Sequence, residues 1–165
     1  MLWTSTNTTT STFSQDLASA HEIENKLANQ FRNNCDCTVT TSQEFGAFPD
    51  WDLKVHFDEQ NIDLTVEVKN DKKAVITGNI AVEFQRTMKD GTVKPTCISV
   101  SKADLFAYYF DNQFYIIGTK KLRTIIKKQK YFYTANNAGD GERSSVYLFT
   151  KDVFKKYATP LNNLI

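Results

Sequence analysis

Asp52, Glu67 and Lys69 are the residues of this 165-residue chain whose types and spacing suit a chemical step. Glu67 and Lys69 lie in a run (DLTVEVKN, residues 63–70) that alternates apolar Leu64, Val66 and Val68 with polar Thr65, Glu67 and Lys69. That is the period of a half-buried strand, so Glu67 and Lys69 stand on one face. Residues 52–58 alternate in the same way, with Leu53, Val55 and Phe57 set against Asp52, Lys54, His56 and Asp58. A hairpin turning through residues 59–61 in ordinary register brings Asp52 to the same end of that face. Two carboxylates and an ammonium then converge. Hard carboxylate oxygens suit Mg²⁺, which keeps several waters and takes few protein ligands, and a lysine beside a metal-bound water orients it or stabilises charge on the phosphate it attacks. A lone Glu-x-Lys is more often the solvated face of a strand, and it is the upstream Asp and the strand alternation that lift this one above that background.

The elements that must position these residues follow from local pattern. Residues 4–14 (TSTNTTTSTFS) are too polar to order themselves, so residues 1–14 read as a flexible arm and 15–165 as a single domain. Leu17, Ala20, Ile23, Leu27 and Phe31 recur at spacings of three and four and predict an amphipathic helix over 16–31, with Ser14 as its cap. Residues 37–41 and 44–48 are strand material, ended by Pro49 and Asp50. A further strand is expected at 79–84, a turn at Asp90 and Gly91, and an apolar stretch at 97–100. Ser101 and Asp104 have the spacing of a capping box and predict a helix to about residue 110. A strand over 113–117, a helix over 120–130, a glycine-rich turn at 138–141, a strand over 146–149 and a last helix capped by Thr150 and ending at Tyr157 complete the chain. The whole predicts one α/β domain with a mixed sheet flanked by helices.

Pro49-Asp50-Trp51-Asp52-Leu53-Lys54-Val55 followed by Val66-Glu67-Val68-Lys69 resembles the signature of the PD-(D/E)XK, or restriction-endonuclease-like, nuclease superfamily. The expected order of helix, three strands, helix and strand resembles that superfamily's αβββαβ core, here with C-terminal additions, and covers roughly residues 16–118. Within it the chain is most similar to small phage and archaeal Holliday-junction-resolvase-like endonucleases, including phage proteins with a stretch like Gly78-Asn79-Ile80-Ala81-Val82-Glu83-Phe84 followed by Ser101-Lys102-Ala103-Asp104. The resemblance implies Asp52 and Glu67 as metal-binding acids and Lys69 as the group that orients the attacking water. Asp50, directly after Pro49, is the alternative to Asp52, which is preferred because it opens the alternating strand. Members often add an acid from the first helix. Glu22 and Glu24 both qualify by type, only one of them can face inward, and Glu24 is preferred for its spacing to Leu27 and Phe31. Glu83 and Gln85 share a strand face within reach of a metal-bound water or of nucleic acid, and Lys102 joins the expected nucleic-acid contacts. His21 and His56 read as surface or packing residues, and Trp51 as an anchor for the strand start.

Charge placement sharpens the partner. Twenty Lys and Arg against nineteen Asp and Glu leave a net +1, which by itself argues against a polyanionic partner. The run KKLRTIIKKQK, residues 120–130, holds Lys120, Lys121, Arg123, Lys127, Lys128 and Lys130 with no acid, so the remainder of the chain is at −5. Leu122, Ile125 and Ile126 give that run a short apolar stripe, which suits docking on a sheet better than lying on a membrane, and makes the helix a phosphate-binding rail. Tyr131, Phe132 and Tyr133 beyond it either stack on bases or join the core. Cys35, Cys37 and Cys97 lack the companions of a zinc site and suit reduced thiols in a cytoplasmic setting, and the N-terminal residues do not have the layout of a signal peptide. Sixteen Lys to four Arg suits a phage or microbial source. The function expected is a Mg²⁺-dependent endodeoxyribonuclease in which Mn²⁺ substitutes, with no small-molecule cofactor, acting on DNA and first of all on four-way junctions, as a homodimer if it cuts two strands symmetrically. The alternative is a catalytically silent nucleic-acid-binding or interaction protein on the same fold.

Overall fold

The computed structural model describes residues 13–46, 49–136 and 143–165. The expected arm therefore lies outside the described residues except at its end, where the backbone of α1 (Phe13–Asn34) has already begun, one residue ahead of the expected cap at Ser14. The helix buries Ile23, Leu27, Ala28 and Phe31, whereas Leu17, one turn and a half earlier, is 44% exposed. The apolar period is continuous, but only its second half meets the sheet.

Six strands form a mixed sheet in the order β1 (Cys37–Thr41), β2 (Leu53–Phe57), β3 (Ile62–Asn70), β6 (Leu105–Phe110), β7 (Gln113–Gly118) and β10 (Thr159–Pro160). Only the β3–β6 pair is parallel. A separate four-stranded antiparallel sheet has the order β5 (Val93–Pro95), β4 (Asn79–Thr87), β9 (Arg143–Thr150) and β8 (Tyr133–Ala135). The strand expected at 79–84 is thus present and longer, but it belongs to this second sheet, which local patterns did not announce. Both faces of the six-stranded sheet are covered. Against one face lies α1, with Leu53, Val55, Val66, Ala107, Phe114 and Ile116. Against the other lies a core of Phe106, Tyr108, Phe110 and Ile117 packed on Ile80 and Val82 of β4, Phe149 of β9, Leu122 and Ile125 of α4 (Thr119–Lys127) and Phe154 of α5 (Lys151–Tyr157).

Two expected elements are corrected. Residues 44–48 are not strand: Ser42–Phe45 is a short helix, α2, because Thr41 and Glu44 form a reciprocal capping box, while residues 47 and 48 lie outside the described residues. The helix expected from Ser101 to residue 110 is strand β6. Its Leu-Phe-Ala-Tyr-Tyr-Phe sequence has the aromatic content of a strand, and it is buried on both faces, which erases the alternation that betrays a half-buried strand. Asp104 does not cap a helix. Its carboxylate accepts from the backbone N–H and the hydroxyl of Thr65, both at 2.9 Å, and so clips the start of β6 to β3. The β6–β7 hairpin turns on Asp111 and Asn112, both at positive φ as a two-residue turn of the I′ type demands.

The β3–β6 connection, where a strand at 79–84, a turn at Asp90 and Gly91 and an apolar stretch at 97–100 are expected, consists of the four-residue helix α3 (Ala74–Thr77), β4, β5 and a 3-10 turn (Cys97–Ser99). The chain leaves the middle of the larger sheet, builds half of the smaller one, and returns beside the strand it left. The final helix α5 is capped by the Thr150 hydroxyl as expected, and α4 stops at Lys127 rather than at residue 130, with the carbonyls of Thr124, Ile125 and Ile126 taken up by the N–H groups of Lys128, Lys130 and Gln129. The glycine-rich turn at 138–141 lies outside the described residues.

Candidate functional site

The antiparallel register of β2 and β3 pairs Leu53 with Val66, and one step further places Asp52 opposite Glu67. Asp52 sits where β2 ends, and its side chain continues the ladder: Oδ2 accepts from the N–H of Val68 at 2.7 Å, while its own N–H donates to the carbonyl of Val66 at 3.0 Å. Two residues along β3, the Lys69 ammonium donates to Glu67 Oε1 at 2.5 Å. Leu53, Val55 and Val66 are buried under α1, so alternation sends Asp52, Glu67 and Lys69 to the opposite face, toward the second sheet. The three expected residues are together at the end of the β2–β3 ladder.

Burial and the nearby Glu67 carboxylate push the Asp52 carboxyl up to about 7, against the pull of its bond to the Val68 N–H and of Lys69. Burial by itself would lower the Lys69 ammonium, but the neighbouring Cys97 and Glu67 raise it above the ordinary lysine range. Cys97 is itself pushed up to about 11, chiefly by burial, and is a thiol at neutral pH, so Glu67 is the partner that keeps Lys69 charged there. Lys69 is therefore a permanent cation, a hydrogen-bond donor rather than a proton acceptor. Once Asp52 is ionised, two facing acids with one ammonium bonded to Glu67 leave a local excess of negative charge.

Glu24 comes from the helix side. It is 8% exposed, accepts from the side-chain amide of Gln43 at 3.0 Å, and lines a depression shared with Asp52, Trp51 and His21, whereas Glu22 is exposed. Asp50 is exposed too and pairs with Lys102 at 3.1 Å. A second depression, lined by Asp50, Trp51, Asp52, Glu67, Cys97 and Lys102, adjoins the first at Asp52. Trp51 meets Phe45 edge-on at 5.3 Å between ring centres. His56 is on the polar face of β2, but it is bonded to Asp63 at 2.6 Å and lies near Asp58. Asp52 and Glu67 are the pair with oxygen donors for a divalent cation. Among the described residues no three His, Cys, Asp or Glu gather as a metal-binding group, so Glu24 stands near the pair without completing a three-residue ligand set, and the cysteines form none.

The expected nucleic-acid contacts divide. Lys120, Lys121, Lys127, Lys128 and Lys130 are exposed, on α4 or just past it, with Leu122 and Ile125 buried beneath. Arg123 is committed elsewhere: its guanidinium donates to the carbonyls of Ile98 at 3.1 Å and Ser101 at 2.7 Å, fastening the loop that carries Lys102 to the rim of the site. Gln85 donates to the buried Ser145 hydroxyl at 3.3 Å, next to a bulge in β4 that breaks its shared face with Glu83. Glu83 is held by the hydroxyls of Thr96 and Ser144 and by Arg86. Of the aromatic run past α4, Tyr131 packs on Tyr147 at 4.6 Å, while Phe132 and Tyr133 are exposed. Sequence reasoning missed Gln43, which holds Glu24, and Cys97, which borders Glu67; neither residue type nor spacing signals them. It also missed Lys72 and Lys73, whose place directly after the Glu67–Lys69 strand was the available cue.

Compared with protein-family models, curated proteins and solved structures, the chain has no match.

Proposed function

We propose that this chain is a metal-dependent endodeoxyribonuclease of the PD-(D/E)XK type, hydrolysing phosphodiester bonds with branched, four-way-junction-like DNA as its first substrate. The observation that carries the reading is Asp52 facing Glu67 across a strand pair with Lys69 bonded to Glu67. The chain order supports it in part: a helix and three antiparallel strands come first, as expected of that core, but residues 105–110, expected within its second helix, form a fourth strand parallel to the third.

The donor set fits Mg²⁺, which is commonly held by one or two carboxylates and otherwise by water and phosphate oxygens, and the excess negative charge between Asp52 and Glu67 is what such an ion offsets. Bound Mg²⁺, or Mn²⁺ in its place, supplies a polarised phosphate and a water of lowered pKa. The chain's own residues do the rest. Asp52 and Glu67 would hold the ion. Lys69, charged throughout, donates to the attacking water or to a phosphate oxygen, stabilising the charge that builds up during the displacement. Lys102 stands at the rim within reach of an incoming phosphate, and the lysines of α4 hold the backbone without reading sequence. By the resemblance, the products are a 3′-hydroxyl and a 5′-phosphate, and symmetric junction cutting takes two copies of the chain.

Incubation with plasmid and with four-way-junction DNA, in Mg²⁺, Mn²⁺ or EDTA, tests this. Cleavage is expected with either metal and not with EDTA; no cleavage of either substrate contradicts the reading. The lack of a third metal-binding residue among those described favours one second reading, a silent DNA-binding protein on the same framework, which that outcome would support.

A further inference from the structure

A cavity of about 570 Å³ lies beside the carboxylate pair, walled by β3 and β6 of the larger sheet and by β4 and β9 of the smaller. Its cations are Lys69, Lys72, Lys73 and Arg86. Its acids are already taken up. Asp71 accepts from the N–H groups of Ala74 and Ala81 at 3.1 and 3.0 Å, Glu83 from Thr96 and Ser144 at 2.7 and 2.8 Å, and Glu67 from Lys69. Lys72 and Lys73 are exposed, and among the described residues neither forms an ion pair. Tyr108, next to Lys69 in the parallel register, lines the same cavity. It is 1% exposed and among the described residues its hydroxyl has no hydrogen-bond partner, although buried donors are nearly always satisfied. Among the described residues, a donor without an acceptor and two lysines outside any ion pair, although Lys73 stands near enough to Asp71 to draw its carboxyl down, point to an anionic ligand that brings acceptor oxygens.

We propose that this cavity is a nucleotide subsite, which takes one unstacked nucleotide of the strand being cut, its phosphate on Lys72 and Lys73 and one of its oxygens accepting from the Tyr108 hydroxyl. The choice of a nucleotide over another phosphate ester rests on the nuclease reading above. The size agrees: small-molecule sites span roughly 300 to 1,000 Å³, room for one nucleotide and far too little for a duplex. A strand enters such a space only where a base is already unpaired or cheaply unpaired, as at a junction, flap or end, and the subsite thereby selects branched or single-stranded DNA over continuous duplex.

Binding of a deoxynucleoside 5′-monophosphate to the full chain in EDTA, followed by NMR titration, tests this without requiring catalysis. Saturable binding is expected, weakened at least about tenfold by Lys72→Ala with Lys73→Ala and about threefold by Tyr108→Phe, which removes only the unpartnered hydroxyl. The same double substitution is expected to erase the preference for flap or junction over duplex in cleavage. Absence of saturable binding, equal binding by the variants, or inorganic phosphate competing as well as the nucleotide each overturns the subsite. The two readings separate: nucleotide binding without DNA cleavage removes the nuclease and keeps the subsite, whereas cleavage with unchanged KM and substrate preference in the lysine variant does the reverse.

Discussion

The β2–β3 carboxylate face and the lysine helix α4 carry their charge in opposite ways. Asp52, Glu67 and Lys69 are pinned by strand register, by the Val68 N–H and by one another, half-buried at the end of a ladder. The α4 lysines project from a helix anchored through Thr119, Leu122, Ile125 and the Arg123 clamp. The first arrangement fixes positions and perturbs protonation, as a reacting centre requires. The second presents a field, tolerant of position and sensitive to salt, as a backbone-holding surface requires. Substitutions in the two regions should therefore fail differently, the first in rate and pH response and the second in affinity.

The largest separation is expected from Glu67→Gln and Lys69→Ala. Each should lower the single-turnover cleavage rate by about a thousandfold or more, while changing DNA affinity by less than about threefold. If affinity falls along with rate, the distinction between centre and rail is lost. Next comes stability. Between its unfolded value of 3.8 and its folded value of about 7, Asp52 binds more protons in the folded chain than in the unfolded one. Metal-free stability should accordingly decline as pH rises through that window and level off above it, by up to about 4 kcal/mol, and Asp52→Asn should flatten the decline. Urea unfolding in EDTA at several pH values reads this directly. Mg²⁺ at pH 8 should recover part of the loss in wild type and none in the variant.

A smaller, purely associative effect is expected from Lys127→Glu with Lys128→Glu. DNA binding should weaken by at least about tenfold at low salt and its log–log salt slope should become shallower by about two or more, with single-turnover rate at saturating protein unchanged. The smallest effect belongs to the paired helix acids. Glu22→Gln should change stability by less than about 0.5 kcal/mol and leave cleavage alone, as befits an exposed surface residue. Glu24→Gln, beside Asp52, should alter the metal concentration needed for cleavage. Identical behaviour of the two would detach α1 from the site.

Legibility in the sequence followed alternation. Glu67 and Lys69 stand on a strand with one apolar and one polar face, so their grouping with Asp52 was readable, as was the amphipathic helix that supplies Glu24. Period-two reasoning failed at β6, whose aromatic residues are buried on both faces, and the Ser101–Asp104 spacing then suggested a cap where Asp104 instead clips two strands. The second sheet was illegible for a related reason. Its central pairing joins β4 to β9 across a long separation, and nothing local records it. Residue type found the cations of α4, but it did not tell Arg123, spent on two loop carbonyls, from its lysine neighbours. Nor did it show Lys72, Lys73 and Tyr108 meeting in one cavity, because that cavity exists only once both sheets are assembled.

The claim on which the account turns is that Asp52 and Glu67 hold one divalent ion. Electron paramagnetic resonance of Mn²⁺ titrated into the full chain, into Asp52→Asn and into Glu67→Gln addresses it most directly. One bound ion per wild-type chain is expected, displaced by excess Mg²⁺ and lost in either variant. Free Mn²⁺ throughout the wild-type titration, or binding undiminished in both variants, would contradict it.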